Sequence, residues 1–259
     1  MNNDVPVFDF HARLTARPGD RDRLLDAMDA TGIRRAVISA GGIIDLDRLS
    51  RRIVNGEWGD DEETRADAHN CRILDACRDS NARLVPFYFA NPHAHPAIYR
   101  HWSPQFRGLE LSPAVHGVTF DDPRTIALVE IAAARGHPVY VVCLGRPGTR
   151  AADLVALARR FPAIPFIFGH AGCIGLDAHG VGTVAIQDNI HVETSGCFTI
   201  VARLAIEQLG AHRVLFGTEH PLQHPGVELA KFDALHLTAA TWRQVAWTNA
   251  HRLLQEEPA

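Results

Sequence analysis

Four short segments end apolar, β-rich runs with side chains that can bind a metal ion or move a proton. They are Phe8-Asp9-Phe10-His11-Ala12-Arg13, Val141-Val142-Cys143, Gly169-His170-Ala171-Gly172 and Gly217-Thr218-Glu219-His220-Pro221. Side chains alternate along a strand, so Asp9, His11 and Arg13 are expected on one face. Histidine near its ordinary pKa transfers protons near neutral pH, which suits His11 and His170 to acid–base work. Arg13 can grip a carboxylate in bidentate fashion. Arg146, just past the second segment, is a further anion-binding candidate, and His220 can donate to a substrate or line its loop. Each residue also has a plainer reading. Asp9 can fix the turn after its strand, Cys143 can be a small core hydrophobe, and His170 can be a hydrogen-bonded core histidine. Glu219 is costly to bury without a partner, which favours a role in a site. His93, His95 and His101 read as loop histidines. His116 reads as a loop histidine as well. Cys173 and Cys197 read as structural thiols.

Strands and helices must alternate to bring such groups together. The strand-like runs are Val5–Phe10, Ala36–Ser39, Leu84–Ala90, Gly108–Leu111, Pro138–Cys143, Ile164–Gly169, Ile190–Thr194 and Val214–Phe216. Between them, helical spacing of apolar residues predicts helices over Arg21–Ala30, Glu62–Asn81, Arg124–Arg135, Arg150–Arg160 and Thr199–Leu209. Two more close the chain, at Glu228–Leu235 and Ala239–Leu254. Strand–helix alternation implies a parallel sheet. Eight units over residues 1–259, without a linker or low-complexity break, predict a single (β/α)8 barrel. An open doubly wound sheet ranks lower, because no GxGxxG turn follows the first strand. In a barrel the four chemical segments meet at the C-terminal mouth of the strands, where such folds place their chemistry. The insert Gly41–Asp61, which holds Trp58, is either a lid or a surface excursion.

Composition removes other classes. The chain has 259 residues and a formal net charge of −4, with Lys231 its only lysine. That balance argues against nucleic acid as a partner, since no basic stretch is concentrated anywhere. Five cysteines, an odd number without CxxC spacing, read as reduced thiols of a cytoplasmic protein. No signal peptide and no apolar run long enough for a membrane span is legible.

Taken in order, the motifs resemble the amidohydrolase superfamily. The similarity is to its branch of metal-dependent hydrolases and decarboxylases that includes aminocarboxymuconate-semialdehyde decarboxylase. It runs over nearly the whole chain. It rests on Asp9-Phe10-His11-Ala12-Arg13, on Gly108 to Pro113 with Asp121-Asp122-Pro123, on Pro138-Val139 through Cys143-Leu144-Gly145, on His170-Ala171-Gly172, on Gly217 to Pro221, and on Asn249 to Leu253. The resemblance implies a metal held at the positions of His11, Arg13, Cys143 and Glu219, with His170 as the neighbouring acid–base group. It also makes a homodimer an assembly to expect. The departures matter. Arginine has no lone pair to offer a cation, and Glu110 stands where relatives often have lysine. His11, Cys143 and Glu219 would still make a three-ligand site with an open position, and Asp9 adds a fourth donor in an alternative register. Mixed donors favour zinc over magnesium.

The expectation is an enzyme acting on a small carboxylated or cyclic substrate, by metal-assisted hydrolysis or non-oxidative decarboxylation. His170, Glu219 and His11 are the catalytic candidates. Arg13, Arg146, His116 and His220 are the substrate-binding candidates. Two rivals stay open. One is a metal-free acid–base enzyme on the same barrel, with Arg13 filling the place of the cation. The other is a non-catalytic binding protein on this scaffold.

Overall fold

The computed structural model describes residues 5–15, 17–41, 45–57, 66 and 68–257. Eight strands form one sheet in sequential order: β1 Val7–Leu14, β2 Ile33–Ala40, β3 Leu84–Phe89, β4 Gly108–Leu111, β5 Val139–Val141, β6 Phe166–Phe168, β7 Ile190–Glu193 and β8 Val214–Leu215. Every pairing is parallel. The backbone closes the sheet on itself. Phe10 N donates to Phe216 O, Glu219 N to His11 O and Arg13 N to His220 O, each at 2.8 Å. Closure satisfies both edges, which an open sheet would leave unpaired.

Alternation along the strands builds two apolar layers. Phe8, Phe10, Val37, Val85, Phe87 and Ile167 belong to the cluster that fills the barrel. Val7, Ala36, Ile38, Leu109, Val139 and Val141 belong to the layer under the helices. β1 breaks its own alternation. Asp9 pairs with Ala36 but Ala12 with Ile38, so β1 carries one extra residue opposite β2. Such a bulge re-aims the side chains beyond it. Phe8 and Phe10 fill the barrel, yet beyond the bulge His11 and Arg13 face the site, while Ala12 and Leu14 join the outer layer.

The helices carry the stop and start signals expected of their sequences. Pro123–Arg135 begins with the Asp122 side chain accepting from Arg124 N and ends at Gly136, whose φ of 66° suits a residue without Cβ. The helix expected over Glu62–Asn81 is shorter among the described residues, spanning Asn70–Arg78. Asn81 and Ala82, both at positive φ, lie in the turn that follows it. Much of that expectation's N-terminal part lies outside the described residues, as does Trp58. The first part of the insert is ordered as Leu46–Ser50 followed by a wide turn at Arg51–Asn55. Leu49 and Ile53 pack against the barrel cluster, and buried Arg52 donates to Val115 O at 2.7 Å. Among the described residues no helix is long and apolar enough to cross a membrane.

Candidate active site

The bulge in β1 and the ends of β4, β5, β6, β7 and β8 bring eight polar side chains to one mouth. At the centre, two cationic side chains alternate with two carboxylates. Arg13 Nη2 donates to Glu110 Oε1 at 2.6 Å, and Arg13 Nε donates to Glu219 Oε1 at 2.8 Å. His11 Nε2 lies 3.4 Å from Glu110 Oε2, and His11 Nδ1 is in close contact with Glu219 Oε2. All four residues are buried. Burial pushes each carboxyl up, but Arg13 and His11 outweigh it. They hold Glu110 at about 2 and Glu219 well below the carboxylate range. Burial lowers His11 too, and Glu219 and Glu110 more than reverse this, lifting it to about 10. Arg13 is raised by the same pair against its own burial.

The third donor is His170. His11, His170 and Glu219 each offer one atom, and these atoms lie within 4.8 Å of one another. His170 Nε2 stands 3.8 Å from Glu219 Oε2. Burial holds His170 below its ordinary pKa, partly offset by Glu219 and Glu193. His170 and Glu219 both sit in the left-handed region, at φ 60° and 56°. Non-glycine residues there cost on the order of 1 kcal/mol or more and persist where the surroundings impose them, often at functional sites.

Four residues of this site were not singled out as site groups from sequence. Glu110 stood out only as a departure from the family pattern. The Tyr140 ring stacks on His11 at 4.0 Å, nearly parallel to it, and its hydroxyl donates to Glu193 Oε2 at 2.6 Å. Glu193 also accepts from the backbone of His170 at 3.1 Å and from Ser195 Oγ at 2.9 Å. The signal was a charged residue inside an apolar strand, which must find partners when buried.

Cys143 does not join the donors. β5 ends at Val141 and turns Tyr140 inward, so Cys143 belongs with the outer apolar layer while also touching the cavity wall. Burial pushes its thiol well above the ordinary value, whereas the thiolate is the ligating form. Asp9 does not join either. The bulge separates it from His11, and its carboxylate accepts from His11 N at 3.0 Å, Thr218 N at 2.9 Å and Thr218 Oγ1 at 2.5 Å. Asp9 thereby ties β1 to the β8 loop. Arg13 lies in the site, but two of its nitrogens are spent on Glu110 and Glu219, and Nη1 reaches Gly41 O at 3.4 Å. His220 helps close the barrel through its carbonyl. Arg146 and His116 do not line the cavity above the donors, and His116 borders a separate small void under β4.

That cavity measures about 260 Å³. Arg13, His170, Ser195 and Glu219 form its polar floor, and Leu49, Ile53, Val115, Val142, Leu144 and Leu222 are among its walls. Its size and apolar walls suit one small ring, as ligand sites commonly do. The donor set fits a divalent cation by its chemistry: two imidazoles and one carboxylate each offer an atom, and these atoms lie within 4.8 Å of one another. Glu219 Oε2 and His11 Nδ1 are buried and in direct contact with each other.

A model of the amidohydrolase family matches residues 8–255. No curated protein sequence matches the chain. Among solved structures, 5-carboxyvanillate decarboxylase from Novosphingobium aromaticivorans, with bound manganese and a nitrobenzoic acid, aligns at a TM-score of 0.72 and 15% identity over 98% of each chain. The 2,6-dihydroxybenzoate decarboxylase from Rhizobium aligns at 0.69 and 18% identity, over 97% of this chain and 99% of that one. An amidohydrolase from Burkholderia multivorans aligns at 0.70 and 16% identity, over 97% and 100%. The likeness to these structures is one of fold. With the family match over almost the whole length, the eight-stranded parallel barrel and the polar mouth, the chain belongs to the amidohydrolase family.

Proposed function

We propose that this chain is an enzyme that removes the carboxylate of a small ring compound without oxidation, with a divalent metal held by His11, His170 and Glu219. The observation that carries the reading is the convergence of those three donors on the floor of an apolar-walled cavity of about 260 Å³. Three protein ligands leave an open position, as catalytic zinc sites have. When bound, the ion would supply Lewis-acid attraction for a substrate oxygen. Manganese and zinc are both compatible with two imidazoles and one carboxylate.

The chain's own residues do the rest. Arg13 holds Glu219 by Oε1 and so turns Oε2 toward the donor group. Glu110 neutralises Arg13 from the other side. Leu49, Ile53, Val142 and Leu222 hold the ring and keep water from it. An apolar wall disfavours the charged carboxylate and favours the neutral carbon dioxide that leaves. The carbon–carbon bond breaks, its electron pair stays on the ring carbon, and a proton takes the place of carbon dioxide. Support for the substrate class comes from the cavity and from the aromatic acid decarboxylases that share the fold. Hydrolysis of a C–N or C–O bond in a carboxylated ring is the alternative within the same site.

One observation favours a metal-free reading. The Arg13–Glu110–His11–Glu219 arrangement already pairs cation with anion on both sides of each carboxylate. The two readings separate in one experiment. Protein loaded with Mn²⁺ or Zn²⁺, and protein stripped by chelator, is given a panel of hydroxylated and carboxylated benzoic acids. Carbon dioxide release that depends on the ion and disappears in His11→Ala is the expected result. Turnover equal in stripped protein contradicts the metal reading. Hydrolysis of cyclic amides or lactones without decarboxylation contradicts the reaction.

A further inference from the structure

Behind His170 lies a chain of hydrogen bonds that leads away from the donor group and ends on a carboxylate. His170 Nδ1 is 2.9 Å from Ser195 Oγ, and Ser195 Oγ is 2.9 Å from Glu193 Oε2. Glu193 is fully buried. Four donors converge on it: the Tyr140 hydroxyl at 2.6 Å, Ser195 N at 2.5 Å, Ser195 Oγ, and His170 N at 3.1 Å. A carboxylate only accepts, so every proton in the chain must point toward it.

We infer that Glu193, acting through Ser195, fixes His170 as the Nδ1–H tautomer and thereby presents the Nε2 lone pair to the donor group. Glu193 and Ser195 are positioning residues in this scheme. The role as a ligand rests on the metal reading above, whereas the tautomer does not.

Two self-consistent proton arrangements exist, and the geometry chooses between them. In the first, Ser195 Oγ donates to Glu193 and His170 Nδ1 donates to Ser195 Oγ. Both bonds are 2.9 Å, and one is charge-assisted, roughly twice as strong as a neutral bond. In the second, Ser195 Oγ donates to Nδ1, and His170 Nε2–H must find its own acceptor. The candidates are Tyr140 Oη at 3.5 Å and Glu219 Oε2 at 3.8 Å, both too long for a sound bond. The second arrangement also withdraws a donor from Glu193. The first therefore prevails.

The loop that carries Ser195 is anchored independently. Glu228 accepts from Gly196 N at 3.0 Å, and the buried Lys231 ammonium donates to Thr194 O at 2.6 Å and Cys197 O at 3.1 Å while pairing with Glu228. The only lysine of the chain thus clamps the backbone on both sides of the relay. Outer partners of this kind orient metal-binding imidazoles, and their loss typically costs 10- to 100-fold in affinity.

The test uses metal-free, ¹⁵N-histidine-labelled full-length protein. Two-bond ¹H–¹⁵N correlations distinguish the tautomers, and His170→Gln identifies the His170 signals by their loss. Wild type is expected to show Nδ1 protonated and Nε2 unprotonated. Ser195→Ala is expected to shift His170 toward Nε2–H. A wild-type His170 carrying its proton on Nε2 overturns the inference without any variant needing to fold. So does a Ser195→Ala protein that keeps an intact fold and an unchanged tautomer. Calorimetric titration with Mn²⁺ and with Zn²⁺ then reads the consequence: Ser195→Ala is expected to bind about 10- to 100-fold more weakly than wild type. Equal affinity in the two proteins contradicts the positioning role. No binding by wild type overturns the metal reading, while the tautomer result still decides the relay.

Discussion

Arg13 stands where the family pattern leads one to expect a ligand histidine, and its surroundings explain how the barrel accommodates it. A buried guanidinium is tolerable only with partners, and Glu110 and Glu219 supply them at 2.6 and 2.8 Å. Glu110 is the buried acid that faces Arg13, so the two residues form one charge arrangement. Removing one member leaves the others buried and unpaired, which costs about 3–5 kcal/mol. Arg13→Gln is therefore expected to destabilise the fold by about 3 kcal/mol or more, measured by urea unfolding of metal-free protein. A loss under about 1 kcal/mol would mean that solvent reaches the carboxylates. The four strand-end segments that located the mouth were legible from sequence, because histidine and acid at the ends of apolar runs are unusual. The pairing of Arg13 with Glu110 was not, since the two meet only when β1 and β4 face one another across the barrel.

At the scale of elements, the bulge in β1 decides which side chains enter the site. Strict alternation groups Asp9 with His11 and Arg13, and the extra residue between Asp9 and Ala12 undoes that grouping. The extra residue leaves no mark in a single sequence, so the sequence offered Asp9 both as a ligand in one register and as a tie for the loop, and the structure places it as a tie between β1 and the β8 loop. Strand five shows the same limit. Its apolar run does not say which parity faces inward, and Tyr140 takes the place that resemblance gave to Cys143. The strand-to-loop turn of β6 depends on a close approach as well. A Cβ at Gly169 would lie 2.5 Å from the Tyr140 ring and hydroxyl, and Tyr140 is held by His11 and Glu193. Gly169→Ala is thus expected to cost about 1–3 kcal/mol and to lower turnover by displacing Tyr140 from His11. Chemical denaturation and steady-state rates check this together. Wild-type values in both would show that Tyr140 has room to move.

The whole molecule reflects the economy of a closed barrel, and its eightfold strand–helix alternation was the most legible feature of the chain. The glycine stops after Arg135 and Leu209 were legible too. The lid function of the insert was left open by the sequence, and the described part of it settles Leu49 and Ile53 into the cavity wall. The fold also carries an acid sensitivity away from the site. Burial holds His116 and His191 neutral, each at about 3, helped in His116 by His93 and in His191 by Arg252. The unfolded chain binds protons at these histidines below its ordinary value near 6.5, and the folded chain does not. Their contribution is therefore intact above that value and falls as pH drops toward about 3, by on the order of 1–2 kcal/mol each at about pH 5. Unfolding free energies of the wild type and of His191→Gln, measured from pH 7.5 down to pH 5, are expected to differ by a loss on acidification that only the wild type shows, on the order of 1–2 kcal/mol by pH 5. Parallel profiles in the two proteins would contradict neutral burial of His191. The central claim concerns the donors at the mouth, and metal content measures it most directly. Mass spectrometry of protein purified without added metal, then equilibrated with Mn²⁺ or Zn²⁺ and desalted, is expected to find one ion per chain in the wild type and none in folded Glu219→Gln. A wild-type protein that retains no ion and still turns over its substrate would contradict the account.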